Sequence, residues 1–357
     1  MRGTAVVAGA AAAGTLAAPH IATAATVLKV QAAWGGGIFL ENAKSYVDRV
    51  NKMAGGGLKI DLLSVNSVVK TSQMQDAVHR GVLDGAHYVP AYWYSKSPAA
   101  SLFGTGPCFG WSAQEMLGWI HYGGGMDLFN ELMGSLGLNL ISFFNSPMPA
   151  QPLGWFKEQI KSSSQMKGLK YRTVGLAADV MTEMGLSVVQ LPGGEIQPAM
   201  KSGLIDAAEF NNPTSDSDFG MQDVSKHYHL ASFHQSQECF EVTFNAKKFN
   251  SLSKEQQAIL EYASEAENSN FYWNNTLRYA DDLIKLRDKH GVNVYRTPDS
   301  IMKDQLKAWD VVVDRISAKD PFFAKVVKSQ KSYAKKVMDY LLLNAPDYGI
   351  AYKHHFG

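Results

Sequence analysis

The sequence predicts an α/β protein of two lobes joined by hinge strands, with one long helix running along both. Three observations carry that expectation: a strand–turn–helix–strand unit that begins at residue 27, a fifteen-residue pattern that occurs twice, and a helical periodicity sustained over 253–290.

Residues 27–34 (V-L-K-V-Q-A-A-W) form an apolar, partly alternating run that reads as a strand. Three glycines at 35–37 break it. A helix follows with Phe39, Ala43, Tyr46, Val47 and Val50 on one face, and it stops near the glycines at 55–57. Residues 58–63 supply the next strand. Strand, helix and strand in this order form a unit whose strands pair in parallel.

The repeated pattern spans 74–88 (M-Q-D-A-V-H-R-G-V-L-D-G-A-H-Y) and 196–210 (I-Q-P-A-M-K-S-G-L-I-D-A-A-E-F), with five of fifteen positions identical. Each copy reads as a helix ended by glycine, then a short strand. Two copies imply two lobes of related design. In open α/β sheets ligands sit beyond the carboxyl ends of the strands, and a cleft between lobes is a common small-molecule site. Each copy ends in an aromatic residue at that place, so Tyr88 and Phe210 are expected at the cleft, with core packing as the alternative.

Over 253–290, Ile259, Ala263, Ala266, Asn270, Trp273, Leu277, Ala280 and Ile284 recur at steps of four and three, which marks one helix face. Ser253 with Gln256 provides a capping box. A helix this long extends roughly 55 Å, more than the width of one domain. The lobes are expected over 26–147 with 236–270, and over 148–235 with 271–357, the C-terminal helices belonging to the second. The amphipathic segment 320–343 is expected to support a homodimer.

Bulk properties narrow the function. With 34 basic and 33 acidic residues the net charge is +1, so no broad field steers nucleic acid or an anionic membrane. Any charge selectivity is local. Cys108 and Cys239 are too few for a disulfide framework, and the sequence leaves open whether they are bridged. Residues 1–25 combine an early arginine, an Ala/Gly/Leu run and Ala22-Thr23-Ala24, the pattern of a cleaved export signal, which implies the periplasm. No later stretch is apolar for the ~18 residues a membrane span requires.

Catalytic signatures are missing: there is no G-x-S-x-G elbow, no P-loop and no H-E-x-x-H. His227 and His229 fall on one side of a strand without a third metal ligand nearby, and read as surface residues. The residue suited to a small carboxylate is Arg172, at the end of K-G-L-K-Y-R just before T-V-G, because a guanidinium grips carboxylates with two parallel hydrogen bonds. Gln151, between Pro149 and Pro152, offers an amide at a crossover between lobes. Glu209-Phe210-Asn211 ends the second repeat copy, and Glu238 and Glu241 lie on a strand returning to the first lobe. Trp34, Tyr88, Tyr92 and Phe210 are the candidate aromatic walls.

Together, K-G-L-K-Y-R (167–172), P-G-G-E-I (192–196), G-L-I-D-A-A-E (203–209) and P-A-Q-P-L-G-W (149–155) resemble the extracytoplasmic binding proteins of tripartite ATP-independent periplasmic (TRAP) transporters, in the branch that binds 2-oxo acids and related monocarboxylates. The likeness covers nearly all of the chain after residue 25. It implies the two-lobed fold of a periplasmic binding protein, no enzymatic activity, a ligand such as pyruvate or lactate, and membrane permease subunits as partners. It implies that Arg172 grips the ligand carboxylate and that sodium or calcium bridges ligand and protein, with Gln151, Glu209 and the carbonyl of Phe210 at the cation-binding positions. Two positions depart. Phe210 stands where the branch usually has tryptophan, and Gln235, in H-Q-S-Q, stands where it has a cation-binding glutamate. Either the metal is absent, or Glu238 substitutes, or the ligand differs. Two other readings stay open: a periplasmic enzyme using Glu209 with His234 as an acid–base pair, and a sensory ligand-binding module.

Overall fold

The computed structural model describes residues 25–191 and 193–357; the export signal, apart from Ala25, lies outside the described residues. Strand β1 (Thr26–Ala32), α1 (Gly37–Met53) and β2 (Leu58–Leu63) form the expected parallel unit. Helix α2 (Met74–His79) leads to β3 (Gly85–Tyr88). Helices α3 (Pro98–Ser101), α4 (Ala113–Tyr122) and α5 (Gly125–Ser135) precede β4 (Leu140–Met148). The chain then crosses to a second sheet. There β5 (Gly154–Phe156), β6 (Lys170–Arg172), α6 (Leu176–Glu183), β7 (Ser187–Val189), α7 (Gly193–Ser202), β8 (Ala207–Ala208), α8 (Pro213–Asp218) and β9 (His227–Leu230) follow in order. Strand β10 (Glu238–Asn245) returns to the first sheet, and α9 (Ala246–Asn250), α10 (Lys254–Asp288), β11 (Asn293–Arg296), α11 (Asp299–Ser317), α12 (Pro321–Asn344) and α13 (Tyr348–Phe356) complete the chain.

The first sheet has the order β2-β1-β3-β10-β4, the second β11-β9-β5-β8-β6-β7. β10 runs antiparallel to β3 and β4, and β5 runs antiparallel to β8 and β9. Each lobe is therefore a parallel sheet interrupted by the strand that has just crossed from the other. At both crossings a non-glycine residue holds a left-handed backbone, Ser146 (φ 56°) and Ala231 (φ 64°), a strain of about 1–3 kcal/mol each that packing must offset.

The repeat is physical. Gly81 and Gly203 both take φ 75°, closing α2 and α7 in the conformation glycine adopts most cheaply. Asp84 then accepts from the Lys29 amide at 2.8 Å and Asp206 from the Lys170 amide at 3.0 Å, so each aspartate ties its copy to the neighbouring parallel strand. The copies diverge at their ends. β3 continues to Tyr88, opposite Glu241 of β10, whereas β8 stops at Ala208 and frees the following residues to turn into the cleft.

Helix α10 runs 35 residues and opens with the expected capping box of Ser253 and Gln256. Its buried face is not the expected one. Leu260, Ala263, Ser264, Glu267, Phe271, Asn275 and Tyr279 are buried, while Trp273 is 72% and Leu277 65% exposed. The buried face must meet α1 and β4 in one lobe and α8 in the other, and those partners present polar groups: Glu267 receives Ser45 and Arg49, and Arg278 pairs with Glu41. The C-terminal helices also depart from the expectation that they stay with the second lobe: α11 packs on α6, but α12 packs on α3, α4 and α5 of the first. Both cysteines are free thiols, and among the described residues no helix is long and apolar enough to cross a membrane.

The first lobe buries a carboxyl group that contributes to no cleft. Glu241 accepts from Ser142 Oγ at 2.5 Å, beside Thr243 and Tyr88, and burial pushes its pKa up to about 8. The unfolded chain ionises this group near its ordinary value of 4.5. Its contribution to stability is therefore intact below about pH 4.5 and is lost as pH rises toward 8. Glu241→Gln should gain melting temperature relative to the parent as pH is raised from 5 to 8; an offset that does not change over that range contradicts this.

Candidate functional site

Arg172 closes β6 and is 3% exposed. Its Nε donates to the Leu191 carbonyl at 3.0 Å, and Nη1 donates to the carbonyl and to Oε1 of Glu209, both at 3.1 Å. Nη2 has no partner among the described residues. Glu209 follows β8, and the close approach of β5 to β8 sets its position. Gly154 has φ 117°, and a Cβ there would sit 2.3 Å from the Ala208 carbonyl oxygen. Burial pushes the Glu209 carboxyl up to about 8 while Arg172 pulls it down.

The cavity in front of Arg172 encloses about 20 Å³ between the lobes, room for about one water molecule, so a ligand enters only if the lobes part. Gln151, Val174, Phe210 and Asn211 border it alongside Arg172, and Trp34, Phe39, Val89 and Tyr92 face them from the first lobe. Glu238 and Phe240, from the strand that returns to that lobe, complete the wall. Trp34 stacks on Phe240 with centroids 4.7 Å apart, and its indole N–H donates to His87 Nδ1 at 2.9 Å. Burial holds His87 down at about 3, so the ring is a neutral acceptor. Phe210 packs against Phe39 and Phe219, with the Arg172 guanidinium 5.9 Å from its ring centre. Burial pushes the Tyr92 phenol up to about 12. The lobes also meet outside the cavity, where Tyr94 donates to Asp179 at 2.6 Å.

Three buried side-chain oxygens lack a hydrogen-bond partner: Gln151 Oε1, whose residue lines the cavity, and Glu209 Oε2 and Gln235 Oε1, whose residues contact the lining residues Arg172 and Gln151 from behind it. Orphaned buried acceptors are costly and rare. Carboxylate and amide carbonyl oxygens suit a hard cation, sodium or calcium. Among the described residues no three His, Cys, Asp or Glu side chains gather to hold a metal, so a cation here would rest largely on amide and carbonyl oxygens. The residues fit the implied cation, with Gln235 contributing a neutral oxygen.

The structure brings together Arg172, Gln151, Glu209, Phe210, Asn211, Tyr92, Trp34 and Gln235. It corrects one placement. Tyr88 is fully buried in the first-lobe core, edge-on to Trp93 at 4.7 Å, and does not line the cavity, because β3 continues through it. His234 does not reach the cavity either; its Nδ1 bonds Ser232 Oγ at 2.6 Å. His227 and His229 stack on Tyr295, and His229 accepts the Ile160 amide. Phe39, Val89, Val174 and Phe240 escaped the sequence reading as wall residues. Phe240 was accessible, since it lies two residues beyond Glu238 on the same face of β10.

Residues 37–320 match the family model of bacterial extracellular solute-binding proteins, family 7 (DctP). The chain belongs to this family. It is a solute-binding component of TRAP transporters, a periplasmic family that captures ligands and does not catalyse. It is 31% identical to a monocarboxylate 2-oxoacid-binding periplasmic protein of Nostoc over 306 residues, 86% of this chain and 83% of that one. Among solved structures, a TRAP solute-binding protein of Bordetella bronchiseptica, a mixed-occupancy dimer with copurified calcium and picolinate, superposes with TM-score 0.86 at 25% identity, covering 94% of this chain and 98% of that one. One from Colwellia psychrerythraea with bound calcium and pyruvate gives 0.83 at 29%, covering 93% and 100%. One from Pseudoalteromonas atlantica holds sodium and pyruvate, with 0.84 at 27% and the same coverage.

Gly154→Ala should destabilise this solute-binding protein by about 1–3 kcal/mol, since the new Cβ displaces β8 and with it Glu209. Chemical denaturation checks this, and an unchanged midpoint contradicts the close approach.

Proposed function

We propose that this chain captures a small 2-oxo or 2-hydroxy monocarboxylate, of the pyruvate or lactate class, in the periplasm and delivers it to the membrane permease of a TRAP transporter. The observation that carries this reading is the buried Arg172 guanidinium, which lines an aromatic-walled cavity together with Gln151 and contacts Glu209, two of three residues with orphaned acceptor oxygens. Arg172 supplies the fork for a carboxylate. Gln151, Glu209 and Gln235 would hold sodium or calcium through those oxygens, together with the Phe210 carbonyl; a bound cation supplies positive charge for the carboxylate and the neighbouring 2-oxygen of the ligand. The calcium and sodium complexes of the similar proteins, and the 2-oxoacid-binding relative, support the same ligand class. The signal pattern over 1–25 and the periplasmic family support the location. Closure of two hinged lobes over the ligand is the capture step, favoured because contacts from both lobes exist only when closed.

We further propose that the chain pairs with a second copy through its C-terminal helices. Helix α13 buries none of its residues, and Leu342, Leu343, Tyr348, Ile350, Tyr352 and Phe356 are exposed. A groove along the open edge of β4, beside α10, carries Glu261 and Glu265 with Met126, Ile141 and Phe143, and α13 carries Lys353, His354 and His355. Apolar surface and opposite charge suit the groove of one copy to the α13 of another.

Titration calorimetry with pyruvate and lactate should give one site per chain. Arg172→Ala should weaken it by about 100-fold or more, the cost of removing one partner of a buried charged contact, and Arg172→Lys by at least about tenfold. Unchanged affinity in Arg172→Ala rejects the assignment. Light scattering should find a dimer for the full chain and a monomer once residues 346–357 are removed; a dimer that survives the truncation rejects the pairing surface.

A further inference from the structure

Glu238 opens β10, where the register with β4 shifts, and so lies at the point where the chain re-enters the first lobe. A single oxygen, Oε2, accepts two amide groups: Gln151 Nε2 at 3.0 Å and, in a short contact, Asn211 Nδ2. Gln151 lies on the outgoing crossing and Asn211 follows β8 in the second lobe, so one carboxylate ties three segments together. An amide has one donor end and one acceptor end. With its NH2 committed to Glu238, Gln151 can turn only its carbonyl oxygen toward the cation position, and that oxygen is one of the three orphans. The second consequence is charge. Gln235 is neutral; Glu209 pairs with Arg172 and Glu238 lines the cavity, whereas the third buried carboxylate nearby, Asp216, is compensated by the Trp155 indole N–H and the Asn211 backbone amide. A monoanionic ligand entering with Glu209 and Glu238 ionised leaves three negative charges against one guanidinium, an excess of two, and buried uncompensated charge is costly. A divalent ion cancels the excess; a monovalent ion removes half.

We propose that Glu238 is the positioning residue that aims the Gln151 carbonyl at the cation and, as the second buried carboxylate, makes ligand capture depend on a divalent rather than a monovalent ion. The inference rests on the function proposed above.

The test titrates pyruvate into the full-length protein in chelator-treated buffer, then with calcium or with sodium. In the parent, calcium should tighten binding by about 100-fold and sodium by much less, within the usual range of coupling between sites. In Glu238→Gln, either amide orientation of Gln151 is satisfied and one charge is gone. The calcium effect should fall below about tenfold and the preference over sodium should vanish, with no loss of melting temperature in the ligand-free protein. If that variant does not fold, Glu238→Asp, which keeps the charge, should retain the calcium preference with weaker pyruvate binding. A parent that binds pyruvate equally in all three buffers, a Glu238→Gln that keeps the parental calcium effect, or a Glu238→Asp that loses it overturns the inference while leaving pyruvate capture standing. A parent that binds no pyruvate in any buffer rejects the proposed function itself, and the inference with it.

Discussion

A guanidinium withdrawn from water governs this molecule. Arg172 is nearly inaccessible, and a buried charge persists only where partners replace its hydration. Two backbone carbonyls and one carboxylate oxygen do so from the second lobe, while Arg172 still lines the cavity. Much of the surrounding architecture follows from keeping those partners in place. β8 is only two residues long, so Glu209 can turn back on the strand that carries Arg172, and glycine at 154 lets β5 approach closely enough to brace that turn.

The second constraint is that neither lobe completes the site. The second lobe supplies Arg172, Glu209 and the Phe210 carbonyl; the first supplies Trp34, Phe39, Val89 and Tyr92 as a wall. His87 fixes Trp34 from behind, as a neutral ring whose acceptor nitrogen meets the indole N–H. The crossing segments contribute Gln151 and Gln235, and Glu238 opens the strand that re-enters the first lobe. Ligand recognition and hinge geometry therefore share residues, and binding can report on closure without a separate relay.

Much of this was legible in the sequence. The doubled helix–glycine–strand pattern announced two related lobes, because its glycines and aspartates perform backbone tasks that few residues can. Arg172 stood out because it ends a strand where a cleft must lie. The failures have a common cause. Tyr88 and Phe210 occupy equivalent places in the repeat, but β10 pairs with β3 as far as Tyr88 and nothing in the local sequence of 74–88 reports a partner 153 residues later. The buried face of α10 was misjudged because its partners in both lobes offer polar groups, so Glu267 and Asn275 turn inward while Trp273 and Leu277 turn out. The periodicity identified an apolar seam correctly and could not say whether this chain covers it. The same limit applied to α12, whose amphipathic pattern is satisfied by either lobe.

The central claim is that the fork of Arg172 and the orphaned oxygens of Gln151, Glu209 and Gln235 address one ligand together. A crystal structure of the protein grown with pyruvate and calcium, with anomalous scattering used to place the ion, tests it most directly. The ligand carboxylate should lie on Arg172 and the anomalous peak within coordinating distance of Glu209 Oε2 and Gln151 Oε1. A ligand bound away from Arg172, or an ion that avoids those oxygens while the cavity is filled, contradicts it.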